Sequence, residues 1–71
     1  MEKREFVAIR GPVANPIELI KVTLADGYTV LWQVLAEGDL REFKSYTVAL
    51  EIMILILDRV WNAELVNLAN S

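Results

Sequence analysis

Gly38-Asp39-Leu40-Arg41-Glu42-Phe43-Lys44-Ser45-Tyr46-Thr47-Val48-Ala49-Leu50-Glu51-Ile52-Met53-Ile54-Leu55-Ile56-Leu57 decides the fold, because its second half suits a buried strand as well as a buried helix. Val48 to Leu57 is rich enough in β-branched residues for a strand, and periodicity alone does not separate the two. Two signals favour the helix. Asp39 precedes Glu42 by three residues, the spacing at which an N-cap carboxylate accepts a backbone N–H and the later carboxylate reaches back to the cap. No proline or glycine then interrupts residues 39–71. The sequence predicts one helix over 40–69; on the strand reading, a turn would fall near Asp58-Arg59 or Asn62-Ala63.

Along that helix Leu40, Phe43, Thr47, Leu50, Ile54, Leu57, Trp61, Glu64 and Leu68 recur at alternating steps of three and four. This is a heptad-like seam of about four heptads, interrupted at Thr47 and Glu64. Ile52, Ile56 and Val60 form a second apolar stripe off the seam, so the middle of the helix is apolar nearly all round, as in a helix buried on several sides.

The N-terminal half is punctuated twice. Gly11-Pro12-Val13-Ala14-Asn15-Pro16 reads as a loop, since both prolines fix φ and neither donates to a ladder. Asp26-Gly27 between apolar segments reads as a two-residue type I′ hairpin turn. That turn sets Leu24 opposite Thr29, Thr23 opposite Val30, Val22 opposite Leu31 and Lys21 opposite Trp32. One face of the hairpin, residues 17–36, then carries Ile20, Val22, Leu24, Leu31 and Leu35. The other carries Ile17, Leu19, Val30, Trp32 and Val34. Neither face is polar enough to stay wet, so both need cover. An earlier strand over 5–10, with Phe6, Val7, Ala8 and Ile9, is expected at the hairpin's edge. The resulting fold class is α+β: a three-stranded antiparallel meander followed by one long C-terminal helix.

With 71 residues the chain forms one small domain over 1–71, and a domain this size buries only about 60% of its unfolded surface. Such domains rely on disulfides, metals or partner chains. Cysteine and histidine are both absent, which removes disulfides, thiolate sites and the commonest general base and metal ligand. Hydrophobic residues reach 55%. A helix over 40–69 measures about 45 Å against about 27 Å for an eight-residue strand, an overhang of roughly three turns. Exposed Trp61, Leu65, Val66 and Leu68 there would form a patch that monomers rarely carry. The expected remedy is a homo-oligomer, foremost a C2 dimer packed through helices or sheet faces, with Leu50, Ile54, Leu57, Trp61, Leu65 and Leu68 as its interface.

No catalytic constellation emerges, so a non-enzymatic chain is expected, without cofactor or metal. Lys44 and Ser45 are adjacent and point apart on a helix. Glu51 and Asp58 stand about 10.5 Å apart along a helix axis, too far to share an ion. The three glycines, at 11, 27 and 38, form no phosphate loop. The net charge of −3 is too small to steer a polyanion. The N-terminus lacks a signal-like apolar run, and the apolar stretch from Thr47 to Leu57 falls short of the ~20 residues of a membrane span, so the expectation is a cytoplasmic protein without membrane contact.

One cluster favours nucleic acid: Lys3, Arg4 and Arg10, with Lys21 opposite Trp32. Cations interleaved with aromatics on a sheet are what single-strand binders use. Val22-Thr23-Leu24-Ala25-Asp26-Gly27-Tyr28 resembles the first signature of Sm-like RNA-binding proteins, an alternating apolar strand ending in Asp/Asn-Gly. Two departures accompany it: Trp32 stands where that family has a glycine, and Arg10-Gly11 precedes the strand instead of following it. With residues 46–57 as a strand, the resemblance implies a small five-stranded barrel assembling into an RNA-binding ring. The primary expectation is an interaction or assembly module. Single-stranded nucleic-acid binding through Lys3, Arg4, Arg10, Lys21 and Trp32 is the alternative, and small-molecule binding at a subunit interface is a weaker one.

Overall fold

A computed structural model describes the backbone of residues 1–69 and the side chains of residues 1–63. Four strands, β1 (Lys3–Arg10), β2 (Ile17–Thr23), β3 (Val30–Ala36) and β4 (Asp39–Phe43), precede one helix, α1 (Tyr46–Ala69). The strands form an open antiparallel meander in the order β1-β2-β3-β4. The α+β class stands, with one strand more than the sequence reading gave.

The central hairpin has the expected register: Lys21 opposes Trp32, Val22 opposes Leu31 and Thr23 opposes Val30. Its turn differs in kind. Asp26 keeps a negative φ, and only Gly27, at φ 79°, enters the left-handed region. Gly27 N–H donates to Leu24 O at 3.0 Å, and Leu24 N–H donates to Thr29 O at 2.9 Å. The connection is thus a four-residue loop over Ala25 to Tyr28 instead of a two-residue type I′ turn. Both loops are centred on the same peptide bond, so the register is unchanged.

The two-residue turn lies one hairpin later. Ala36 pairs with Asp39, and Glu37 and Gly38 between them take φ 54° and 75°, the double positive φ of a type I′ turn. Gly38 therefore sits in a hairpin turn, and a fourth strand follows it. This overturns the capping box: Asp39 and Glu42 are strand residues. Asp39 accepts from Arg41 Nε at 3.4 Å, and Glu42 accepts from Gln33 Nε2 at 3.0 Å. The helix starts at Tyr46 instead of Leu40, and its cap is Ser45, whose Oγ accepts from Val48 N–H at 3.3 Å. Residues 46–57 are helical, so the strand reading falls, and the Sm-like barrel with it.

The helix covers one sheet face. Ile17, Leu19, Val34 and Ala36 of the sheet and Ala49, Met53, Ile56 and Val60 of the helix form the core. Each fully buried Ile, Leu or Val contributes about 1.5–3 kcal/mol relative to an exposed one. Trp32 fixes the helix start, its ring meeting that of Tyr46 edge-on at a centroid distance of 4.7 Å. On the other face Ile20 and Val22 are buried as well, although no element covers them. There Arg4 Nη2 reaches across β2 to donate to Gln33 Oε1 at 2.6 Å, and Gln33 passes the chain on to Glu42. A polar bridge from β1 to β4 thus takes part of the place of a second layer.

Candidate interaction surface

Helix α1 rests on β2, β3 and β4 and leaves β1 nearly bare. Positions 49, 53, 56 and 60 point into the sheet, so at 100° per residue the next positions divide between two flanks. Leu50, Ile54, Leu57 and Trp61 fall on the flank toward β1. Ile52, Leu55 and Arg59 fall on the flank toward β4.

The β4 flank carries a charge pair to the sheet, beside a groove of about 270 Å³ among Arg41, Ile52 and Ile56 that leaves Leu55 66% exposed. Arg59 Nη2 donates to Glu37 Oε2 at 2.8 Å, clamping the helix to the β3–β4 turn, and Arg41 pairs with Asp39 at 3.4 Å on the strand below. The β1 flank has no such charge pair among the described residues, although Leu57 packs half-buried against the core. A groove of about 230 Å³ runs along it, with Val7, Ala8 and Arg10 on one wall and Leu50, Ile54 and Leu57 on the other. Ile54 is 55% exposed, Trp61 47% and Val7 46%.

Of the six residues expected at an interface, the structure brings Leu50, Ile54, Leu57 and Trp61 together on this flank; Leu65 and Leu68 lie outside the described side chains. Their seam is not the one that grips the sheet. That role falls to Ala49, Met53, Ile56 and Val60, one position out of phase.

Strand β1 adds what the sequence reading missed. Phe6 pairs with Ile20 and Ala8 with Leu19, so Val7 is an extra residue in a bulge. Strict alternation would put Phe6 and Ala8 on one face. The bulge instead leaves Lys3, Glu5, Ala8 and Arg10 on the helix side and Arg4, Phe6 and Ile9 on the other, with Val7 beside Ala8 in the groove. Phe6, at 76%, and Ile9, at 57%, are widely exposed. The unbroken apolar run Phe6-Val7-Ala8-Ile9 was the available signal, since a run without alternation marks either full burial or a bulge.

Of the five candidate nucleic-acid contacts, Lys3, Lys21 and Trp32 share one face at one end of the sheet, while Arg4 and Arg10 lie apart from them. Lys21 Nζ lies 6.0 Å from the Trp32 ring centroid, and Tyr46 occupies another side of that indole. Lys3 pairs with Glu5 at 3.2 Å on the same sheet face. Arg4 is on the opposite face, tied to Gln33. Arg10 is at the far end of β1, about 23 Å from Lys3, donating to the Ile9 carbonyl at 2.7 Å.

Among the described residues no three potential metal-ligating side chains converge, and no helix is long and apolar enough to cross a membrane. One carboxyl is shifted: Asp26 is held below its ordinary value by the Thr29 hydroxyl first, and then by the Thr29 and Tyr28 N–H groups. Those bonds tie the hairpin loop and have no link to the groove. Comparison with known protein families, with curated proteins and with solved structures finds no match.

Proposed function

We propose that this chain is a non-enzymatic assembly module that associates with copies of itself, as a dimer, through its β1 side. The observation that carries the reading is the asymmetry of the helix. Its β4 flank leaves Leu55 exposed but carries the Arg59–Glu37 charge pair, whereas its β1 flank leaves Ile54 and Trp61 about half exposed beside an unpaired strand whose middle, Phe6 to Ile9, is apolar. Apolar side chains contiguous over such a patch mark association surfaces in soluble proteins. An unpaired edge adds unsatisfied N–H and C=O groups that a second strand would complete.

Absolute mass by light scattering behind a sizing column, with absorbance at 260 and 280 nm across the peak, tests the reading. A dimeric mass with a protein-like ratio is expected, as is conversion to a folded monomer by Ile54→Asp. A monomer at every concentration overturns the proposal. A particle carrying nucleic acid redirects it to the cations Lys3, Arg4, Arg10 and Lys21.

A further inference from the structure

We infer that the second copy pairs through β1, antiparallel and in a single register, in which Glu5 of each chain faces Arg10 of the other. This rests on the self-association reading and specifies its geometry. Two β1 strands related by a twofold axis pair residue i with residue j and j with i, at a constant sum unless a bulged residue is skipped, and paired residues must share a sheet face. The bulge makes that condition selective, because Lys3, Glu5, Val7, Ala8 and Arg10 occupy the helix side while Arg4, Phe6 and Ile9 occupy the other. A sum of 15 satisfies it throughout: Glu5 with Arg10, Phe6 with Ile9 and Val7 with Ala8. A sum of 14 sets Arg4 against Arg10 and Glu5 against Ile9, each across opposite faces. A sum of 13 sets Lys3 against Arg10, two like charges, and mismatches Phe6 with Val7.

Charge complementarity agrees with the face rule. Among the described residues the ion pairs are Lys3–Glu5, Arg41–Asp39 and Arg59–Glu37, and none of the described carboxylates pairs with Arg10. The sum of 15 gives it one twice over, by symmetry. Phe6 and Ile9, both exposed in the isolated chain, become cross-strand neighbours on the face opposite the helices. The two sheets merge into one of eight strands, with both helices on the same side and their Leu50–Ile54–Leu57 flanks turned toward each other above Val7 and Ala8.

A charge exchange read by sedimentation equilibrium tests the pairing. Glu5→Arg alone and Arg10→Glu alone each bring like charges together at two symmetric sites and weaken dimerisation about tenfold or more, while the double exchange returns it to within about threefold of the parent. A cysteine pair gives a second readout in this cysteine-free chain. Glu5→Cys and Arg10→Cys proteins, refolded together and oxidised, form a disulfide-linked heterodimer. Neither cross-links with itself, since its like positions lie about 17 Å apart. A dimer indifferent to the exchange, or self-linking of either cysteine variant, overturns the β1 register and leaves self-association standing. A monomeric parent overturns both.

Discussion

The two flanks of helix α1 are built from the same kinds of residue and finished differently. Toward β4, Ile52 is half-buried against the core, and Arg59 reaches down to Glu37 at 2.8 Å. The strand beneath is short and charged, with Asp39, Arg41 and Glu42 in five positions, a recognised protection for a sheet edge. Toward β1 the helix overhangs a longer strand of eight residues whose middle is apolar and bulged, and no ion pair spans the gap among the described residues. The two edges of the sheet are guarded by different means, β4 by shortness and charge and β1 by its bulge and its charged ends.

The comparison breaks most severely at the shared foundation. Met53→Ala removes a buried side chain from the core common to both flanks and is expected to cost about 2–5 kcal/mol, seen as loss of the folded baseline in urea titration. Next, Ile54→Asp and Leu55→Asp place the same charge on neighbouring exposed residues of opposite flanks. The first is expected to weaken association by about 2 kcal/mol or more and the second to leave it unchanged, with helicity by circular dichroism preserved in both; equal effects on mass would erase the distinction between the flanks. On the β4 side, Gly38→Ala forces a side chain into the left-handed turn at φ 75° and is expected to cost about 1–2 kcal/mol, measurable by thermal melting.

Smaller still, Arg59→Ala removes an exposed ion pair expected to contribute only about 0.2–1 kcal/mol. The last test lies outside both flanks. Because its partners hold the Asp26 carboxyl below 3.8, its contribution is complete above that pH and fades as the pH falls through the folded-state value. The melting-temperature gap between the parent and Asp26→Asn should therefore be widest at neutral pH and shrink in acid.

The sequence made the central hairpin legible because alternation on both strands and the Asp-Gly pair agree on one register. The fourth strand was hidden for a physical reason. Asp39-Leu40-Arg41-Glu42-Phe43 satisfies a helix cap and a strand alternation equally, and the turn that decides between them begins with Glu37, a residue type that rarely takes positive φ. The residues proposed for association stood out in the sequence, whereas the phase in which the helix packs did not. A helix apolar nearly all round offers several stripes at once, and large side chains draw the eye to Leu50, Ile54, Leu57 and Trp61. The sheet took the stripe containing Ala49 instead, whose small side chain is wholly buried and allows close approach of the backbones.

The extra residue at Val7 also bears on what this edge refuses. A flat strand of regular alternation accepts any extended apolar segment, and stacked repeats of that event are how fibrils grow. Because β1 reverses its inside and outside halfway along, a foreign strand of regular alternation matches both residues 3–6 and residues 8–10 only by skipping Val7, as β2 does. In the proposed pair the outermost strands are the two charged β4 segments, which leaves no β1 edge for a third chain.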